Sequence, residues 1–179
     1  MTGAQGFIAW FEDVSRADVA RVGGKGANIG ELTGAGLPVP AGFVVTADAY
    51  LHALDEAGVR EKLPGRVGGL DVDDAEALTA AARDCQATVR GAGVPEPVRR
   101  GIGRGYARLS GEAAGGVPVA VRSSATAEDT ASTSFAGMNE TFTNVSGADA
   151  VVDRVVECWA SLWSPRVVAY RATRGLADE

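Results

Sequence analysis

The chain is poor in the residues from which many sites are built: it has one histidine, two cysteines, two methionines and an aromatic content of 6%. With His52 alone, a multi-histidine metal centre is excluded and a Ser-His-Asp triad has a single candidate base. Cys85 and Cys158 lie far apart, without CxxC spacing and without a neighbouring histidine. Two buried free thiols in a reducing compartment are expected, with a disulfide as the alternative. No apolar run approaches the ~20 residues that a membrane span requires, and no basic stretch precedes an apolar signal core, so the expected location is cytoplasmic. Excess positive charge is lacking too. A formal charge of −6 argues against nucleic-acid or anionic-membrane partners, which need clustered Lys and Arg, and any anionic ligand has to be held locally.

What is present suits an ordinary globular fold. A length of 179 residues fits one domain or one lobe of a larger catalytic unit, and 46% hydrophobic with 22% charged residues is a folding composition. Phe7 to Phe11 reads as a short strand. Gly26 to Ala35 reads as a helix that starts just after Gly23-Gly24-Lys25 and stops at Gly36. Pro38 and Pro40 impose extended backbone, and Gly42 to Thr46 is a β-branched core strand whose Thr46 caps a helix carrying Ala49, Tyr50, His52, Ala53 and Leu54. Leu63 to Gly69 is glycine-rich and reads as a loop. Ala75, Leu78, Ala82, Cys85 and Val89 repeat at helical spacing, as do Val98, Ile102, Tyr106 and Leu109 between Pro95 and Ala114. Val117 to Val121 reads as a buried strand delivering Arg122 at its carboxyl end, where ligands meet α/β sheets. A loop runs from Ser124 to Gly137, a strand follows at 140–145, and Val151 to Trp163 and a last segment through Tyr170 are helical.

Three segments carry candidate chemistry. Val22 to Asn28 places Lys25 among glycines at a helix mouth, where free amides, the helix dipole and an ammonium all favour phosphate. It is not a Walker A loop, lacking the spaced first glycine and the Ser or Thr after the lysine. The alternative is a glycine turn with an exposed lysine. Arg122, after a strand and before two serines, is suited to grip phosphate oxygens with both arms of its guanidinium, or to pair with Glu128 or Asp129. Ser134 to Thr141 sets one large anchor, Phe135, among small residues, as in a flap closing over a polyphosphate, or else forms a plain surface loop.

Three blocks, from Val22 to Leu32, from Gly36 to Thr46, and Val121-Arg122-Ser123-Ser124-Ala125-Thr126-Ala127-Glu128-Asp129 running on into Ser134-Phe135-Ala136-Gly137 and Glu140-Thr141, resemble the N-terminal ATP-binding domain of the phosphoenolpyruvate synthase, pyruvate phosphate dikinase and rifampin phosphotransferase family. The resemblance covers nearly the whole chain. It implies an α/β (α+β) fold, the first ATP-grasp-like lobe of a dikinase nucleotide-binding domain, with residues 1–179 a single partial ATP-binding domain. It also implies that Lys25 and Arg122 contact phosphate, that Gly137, Thr141 and Phe142 touch ATP, and that Mg2+ accompanies the nucleotide on ligands supplied mainly by a second lobe. By the same resemblance a histidine on another domain carries the phosphoryl group to the acceptor. His52, on an amphipathic helix and without a glycine-rich signature, does not match it.

Thr130-Ala131 and Met138-Asn139 depart from the family pattern, in which Leu-Pro follows the Glu-Asp and a glutamine-rich stretch follows Phe-Ala-Gly. The expected function is therefore the ATP-binding lobe or subunit of a dikinase-type phosphotransferase, inactive alone. Partner chains would supply the second lobe and the phosphohistidine domain. The alternative is a non-catalytic nucleotide-binding or regulatory module of the same descent. A complete small kinase lacks both catalytic acids and sufficient chain. No catalytic residue and no metal ligand is assigned within the chain.

Overall fold

The computed structural model describes residues 6–113, 116–124 and 140–174. In chain order they form β1 (Ile8–Trp10), two 3-10 turns at Phe11–Asp13 and Arg16–Asp18, α1 (Val19–Gly34), β2 (Phe43–Val45), α2 (Ala47–Glu56), α3 (Lys62–Val67), α4 (Ala75–Ala92), α5 (Glu96–Ser110), β3 (Val119–Arg122), β4 (Thr141–Val145), α6 (Ala148–Ser161) and α7 (Pro165–Arg174). Helix and sheet are mixed, as expected, but helix dominates. The strands make two separate antiparallel pairs, β1 with β2 and β3 with β4.

The helices supply the core because their apolar residues recur every three or four positions. Leu78, Ala82, Cys85 and Val89 line one side of α4; Val98, Ile102 and Tyr106 line α5; Val151, Val152, Val155 and Trp159 line α6; all are buried in one cluster with Ala49, Ala53 and Leu54 of α2. At its edge the Arg90 guanidinium grips the Glu157 carboxylate through two bonds of 2.9 Å, joining α4 to α6. A smaller cluster of Ala9, Val14, Val22 and Ala27 lies between β1 and α1. Among the described residues, no helix is long and apolar enough to cross a membrane.

Several expectations need correction. The span from Leu63 to Gly69 is not a loop at its start: Lys62–Val67 is helical, with Leu63 and Val67 buried one turn apart. Pro64 sits in its first turn, where a missing N–H costs nothing, so packing outweighs the glycines. Helix α1 begins at Val19 rather than after Lys25, and it is broken at Gly23, whose φ of 74° and ψ of 166° start a second helical run. Thr46 stands at the N-cap of α2 without capping it; its hydroxyl donates to the Gly6 carbonyl at 2.9 Å and so ties the chain ahead of β1 to the helix start. Strand β3 is not a buried strand: paired antiparallel with β4, it alternates between half-buried and exposed residues.

The Tyr106 hydroxyl joins three elements. It donates to the Val117 carbonyl at 2.9 Å and accepts from the Gly147 amide at 2.8 Å, so α5 holds the approach to β3 and the start of α6 together.

Two consequences are measurable. A Cβ on Gly30 would stand 2.2 Å from the Val14 carbonyl oxygen, whereas one on Gly34 would meet nothing within 4 Å. Urea denaturation should therefore show Gly30→Ala destabilised by about 1–3 kcal/mol and Gly34→Ala unchanged or more stable by up to ~1 kcal/mol.

Both cysteines are free and buried. Burial pushes the Cys158 thiol up to about 12, with Glu140 and Glu157 adding to it. Cys85 is also raised by burial, against an opposing pull from Arg66. An aromatic disulfide reagent at pH 8 should label neither thiol in the folded chain and both after unfolding. Because the folded value of Cys158 lies above the unfolded one near 9, its contribution to stability is complete below pH ~9 and is lost as pH rises toward about 12.

Candidate nucleotide-binding site

Strands β3 and β4 set the best-defined part of the site. In their register Val121 faces Phe142 and Arg122 faces Thr141. Alternation along β3 turns Val119 and Val121 toward the core and leaves Arg122 exposed. Arg122 Nε reaches Thr141 Oγ1 at 3.4 Å, its one hydrogen bond among the described residues. Most of the donors on its guanidinium therefore remain for a ligand.

The next residue closes the end of the pair. The Ser123 amide donates to the Glu140 carbonyl at 3.1 Å, and Ser123 Oγ accepts from the Glu140 amide at 2.9 Å. Ser124 Oγ is buried and, among the described residues, has no hydrogen-bond partner. A buried hydroxyl left unpaired is costly and uncommon. Phe142 is half-buried, with the Arg154 guanidinium of α6 5.0 Å from its ring centroid.

Lys25 stands on α1, half-buried, in the first turn after the break at Gly23. That break presents a fresh helix start, as a phosphate cradle requires. The neighbouring glycines have a different task. A Cβ on Gly26 would press on Val22 and Val44 at 3.1 Å, so Gly26 is small to let α1 lie against β2.

The structure thus gathers Arg122, Thr141 and Phe142 on one strand pair, while Lys25 lies on the helix beside the other sheet. Gly137, the flap around it, and the candidate Arg122 partners Glu128 and Asp129 lie outside the described residues. His52 pairs with Glu56 one turn along α2 at 3.5 Å and stacks on Phe7 at 4.9 Å, a local packing arrangement. Among the described residues, no group of three His, Cys, Asp or Glu side chains is placed to hold a metal ion.

Sequence reasoning missed a concave surface, a cleft of about 420 Å³ whose lining includes Trp10, Asp13, Arg21, Arg104 and Arg108. Neither Lys25 nor Arg122 lines it. The available signal was the spacing of Arg100, Arg104 and Arg108, one turn apart along α5. It was masked by the apolar face of the same helix.

Comparison with known proteins identifies the family. The family model of the pyruvate phosphate dikinase AMP/ATP-binding domain matches residues 19–179. A probable phosphoenolpyruvate synthase of Methanocaldococcus jannaschii is 47% identical over 171 residues, covering 94% of this chain and 14% of that protein. The phosphoenolpyruvate synthase of Pyrococcus furiosus is 39% identical, with 94% of this chain and 25% of that protein covered. That of Neisseria meningitidis is 38% identical, covering 98% and 23%. The chain spans between about one seventh and one quarter of these relatives. With a match from Val19 to the last residue, the chain belongs to the pyruvate phosphate dikinase AMP/ATP-binding domain family.

Proposed function

We propose that this domain binds the polyphosphate of ATP between Lys25, in the first turn of α1 after the break at Gly23, and the end of the β3–β4 pair, as the first, ATP-grasp-like lobe of a dikinase-type phosphotransferase. The observation that carries this reading is the juxtaposition of the largely uncommitted Arg122 guanidinium, its register partner Thr141 and the unpaired Ser124 hydroxyl at one strand end. A guanidinium grips two phosphate oxygens at once, while an ammonium at a helix mouth neutralises charge with less directional demand. Phosphoryl transfer asks mainly for this: the phosphates positioned and their charge offset.

In this reading Thr141 contacts the nucleotide beside Arg122, Phe142 supports the pair from its core-facing side, and Gly137 belongs to the flap that covers the nucleotide. Magnesium arrives with the nucleotide, held mainly by a second lobe. A histidine on another domain or chain takes the phosphoryl group onward to the acceptor. The support for further domains is the size of the relatives, named as phosphoenolpyruvate synthases, of which the matched region is a minor part.

The test is titration calorimetry with ATP and magnesium on the wild type, Lys25→Ala, Arg122→Ala and Arg122→Lys, with circular dichroism to verify folding. Loss of a charge-assisted contact should weaken binding by roughly 10- to 100-fold in each alanine variant. Arg122→Lys should recover only part, because it restores charge without the fork. Unchanged affinity in both alanine variants would overturn the site.

A further inference from the structure

The arginine-lined cleft runs along the outer edge of β1. The Thr46 amide donates to the Phe7 carbonyl and the Phe11 amide to the Gly42 carbonyl. In an antiparallel pair the bonded positions alternate, so Ala9 points its N–H and C=O toward β2 while Ile8 and Trp10 turn theirs outward. Among the described residues those outward groups have no partner. Ile8, Ala9 and Trp10 all line the cleft. Its walls come from opposite faces of the sheet: Ala9 packs in the cluster formed with α1, which supplies Arg21, while Trp10 lies against Phe43 and α5, which supplies Arg104, Gly105 and Arg108. A cleft touching both helices and the strand between them is a groove with the open strand edge as its floor.

The charge on its walls is one-sided. Arg21 is 4.0 Å from Asp48, and Arg108 lies over the Trp10 ring at 3.8 Å and bonds Glu12. Arg104 has no partner among the described residues, although it sits between Arg100 and Arg108 in a ladder of like charges that disfavours the helix. Within the lining, three guanidiniums face the single carboxylate of Asp13.

We propose that this groove binds an extended acidic segment of a partner polypeptide, which adds as a strand beside β1. Its backbone pairs with Ile8 and Trp10, and its carboxylates meet Arg104 and Arg108. Charge selects this occupant over a second copy of the chain, because edge-to-edge pairing of two copies would bring six arginines together. The inference is independent of the nucleotide site.

The probe is a fluorescein-labelled octapeptide of alternating threonine and glutamate, titrated into the full 179-residue chain at low salt and followed by anisotropy. Saturable binding is expected, weakened at least tenfold by Arg104→Glu and at least tenfold when glutamine replaces glutamate in the peptide. Binding should be lost for the fully N-methylated peptide, which keeps the charge and cannot pair as a strand. Amide hydrogen exchange should slow at Ile8 and Trp10 when the unmodified peptide is bound. Equal binding of the methylated peptide, or displacement by tripolyphosphate that Arg104→Glu leaves unaltered, would overturn the proposal. So would a concentration-dependent dimer that protects the same two amides without peptide. Arg104 is exposed, so its variant should fold, and circular dichroism verifies this.

Discussion

The Tyr106 hydroxyl is the constraint on which the candidate nucleotide site depends. A two-stranded ribbon is marginal by itself in water, and β3–β4 is such a ribbon, carrying Arg122 and Thr141 at one end. Its other end is held by one buried oxygen that donates to Val117 ahead of β3 and accepts from Gly147 after β4. Ser110 Oγ accepts the Val117 amide at 3.3 Å, so the backbone of that residue is fastened on both sides by α5. Gly116 completes the arrangement: its φ is 80°, and a Cβ there would stand 2.3 Å from the same hydroxyl. Only glycine suits both the left-handed backbone and the close approach.

From that anchor the architecture follows outward. Helices α4, α5 and α6 bury the large apolar cluster and form a platform; β3 and β4 lie on α6, and β1 and β2 are enclosed between α1 and α5. The rigidity that a phosphate grip needs comes from the helices, since neither ribbon is wide enough to supply it. The candidate binding side chains accordingly sit at a ribbon end and beside a helix break, while the packing residues fill helix faces.

The chain belongs to the dikinase AMP/ATP-binding family and spans between about one seventh and one quarter of the relatives it matches. Two places on the surface stand out. One end of β3–β4 offers a guanidinium and an unpaired hydroxyl suited to phosphate, and the edge of β1 offers a backbone ladder flanked by arginines suited to a peptide.

Local sequence was informative wherever a periodic apolar pattern met a clear stop. The α4 and α6 faces, the β1 and β2 strands and the burial of both cysteines were all legible, because helix and strand periods are properties of neighbouring residues. So was the family, through a string from Val121 to Asp129 specific enough to carry the likeness. The helical state of Lys62–Val67, the packing duty of Gly26 and Gly30, the hydroxyl of Thr46 turned to Gly6 and the outward edge of β1 were decided only by tertiary structure. Each depends on which distant residue arrives opposite, and a contact between chain segments far apart in sequence leaves no periodic trace in either of them.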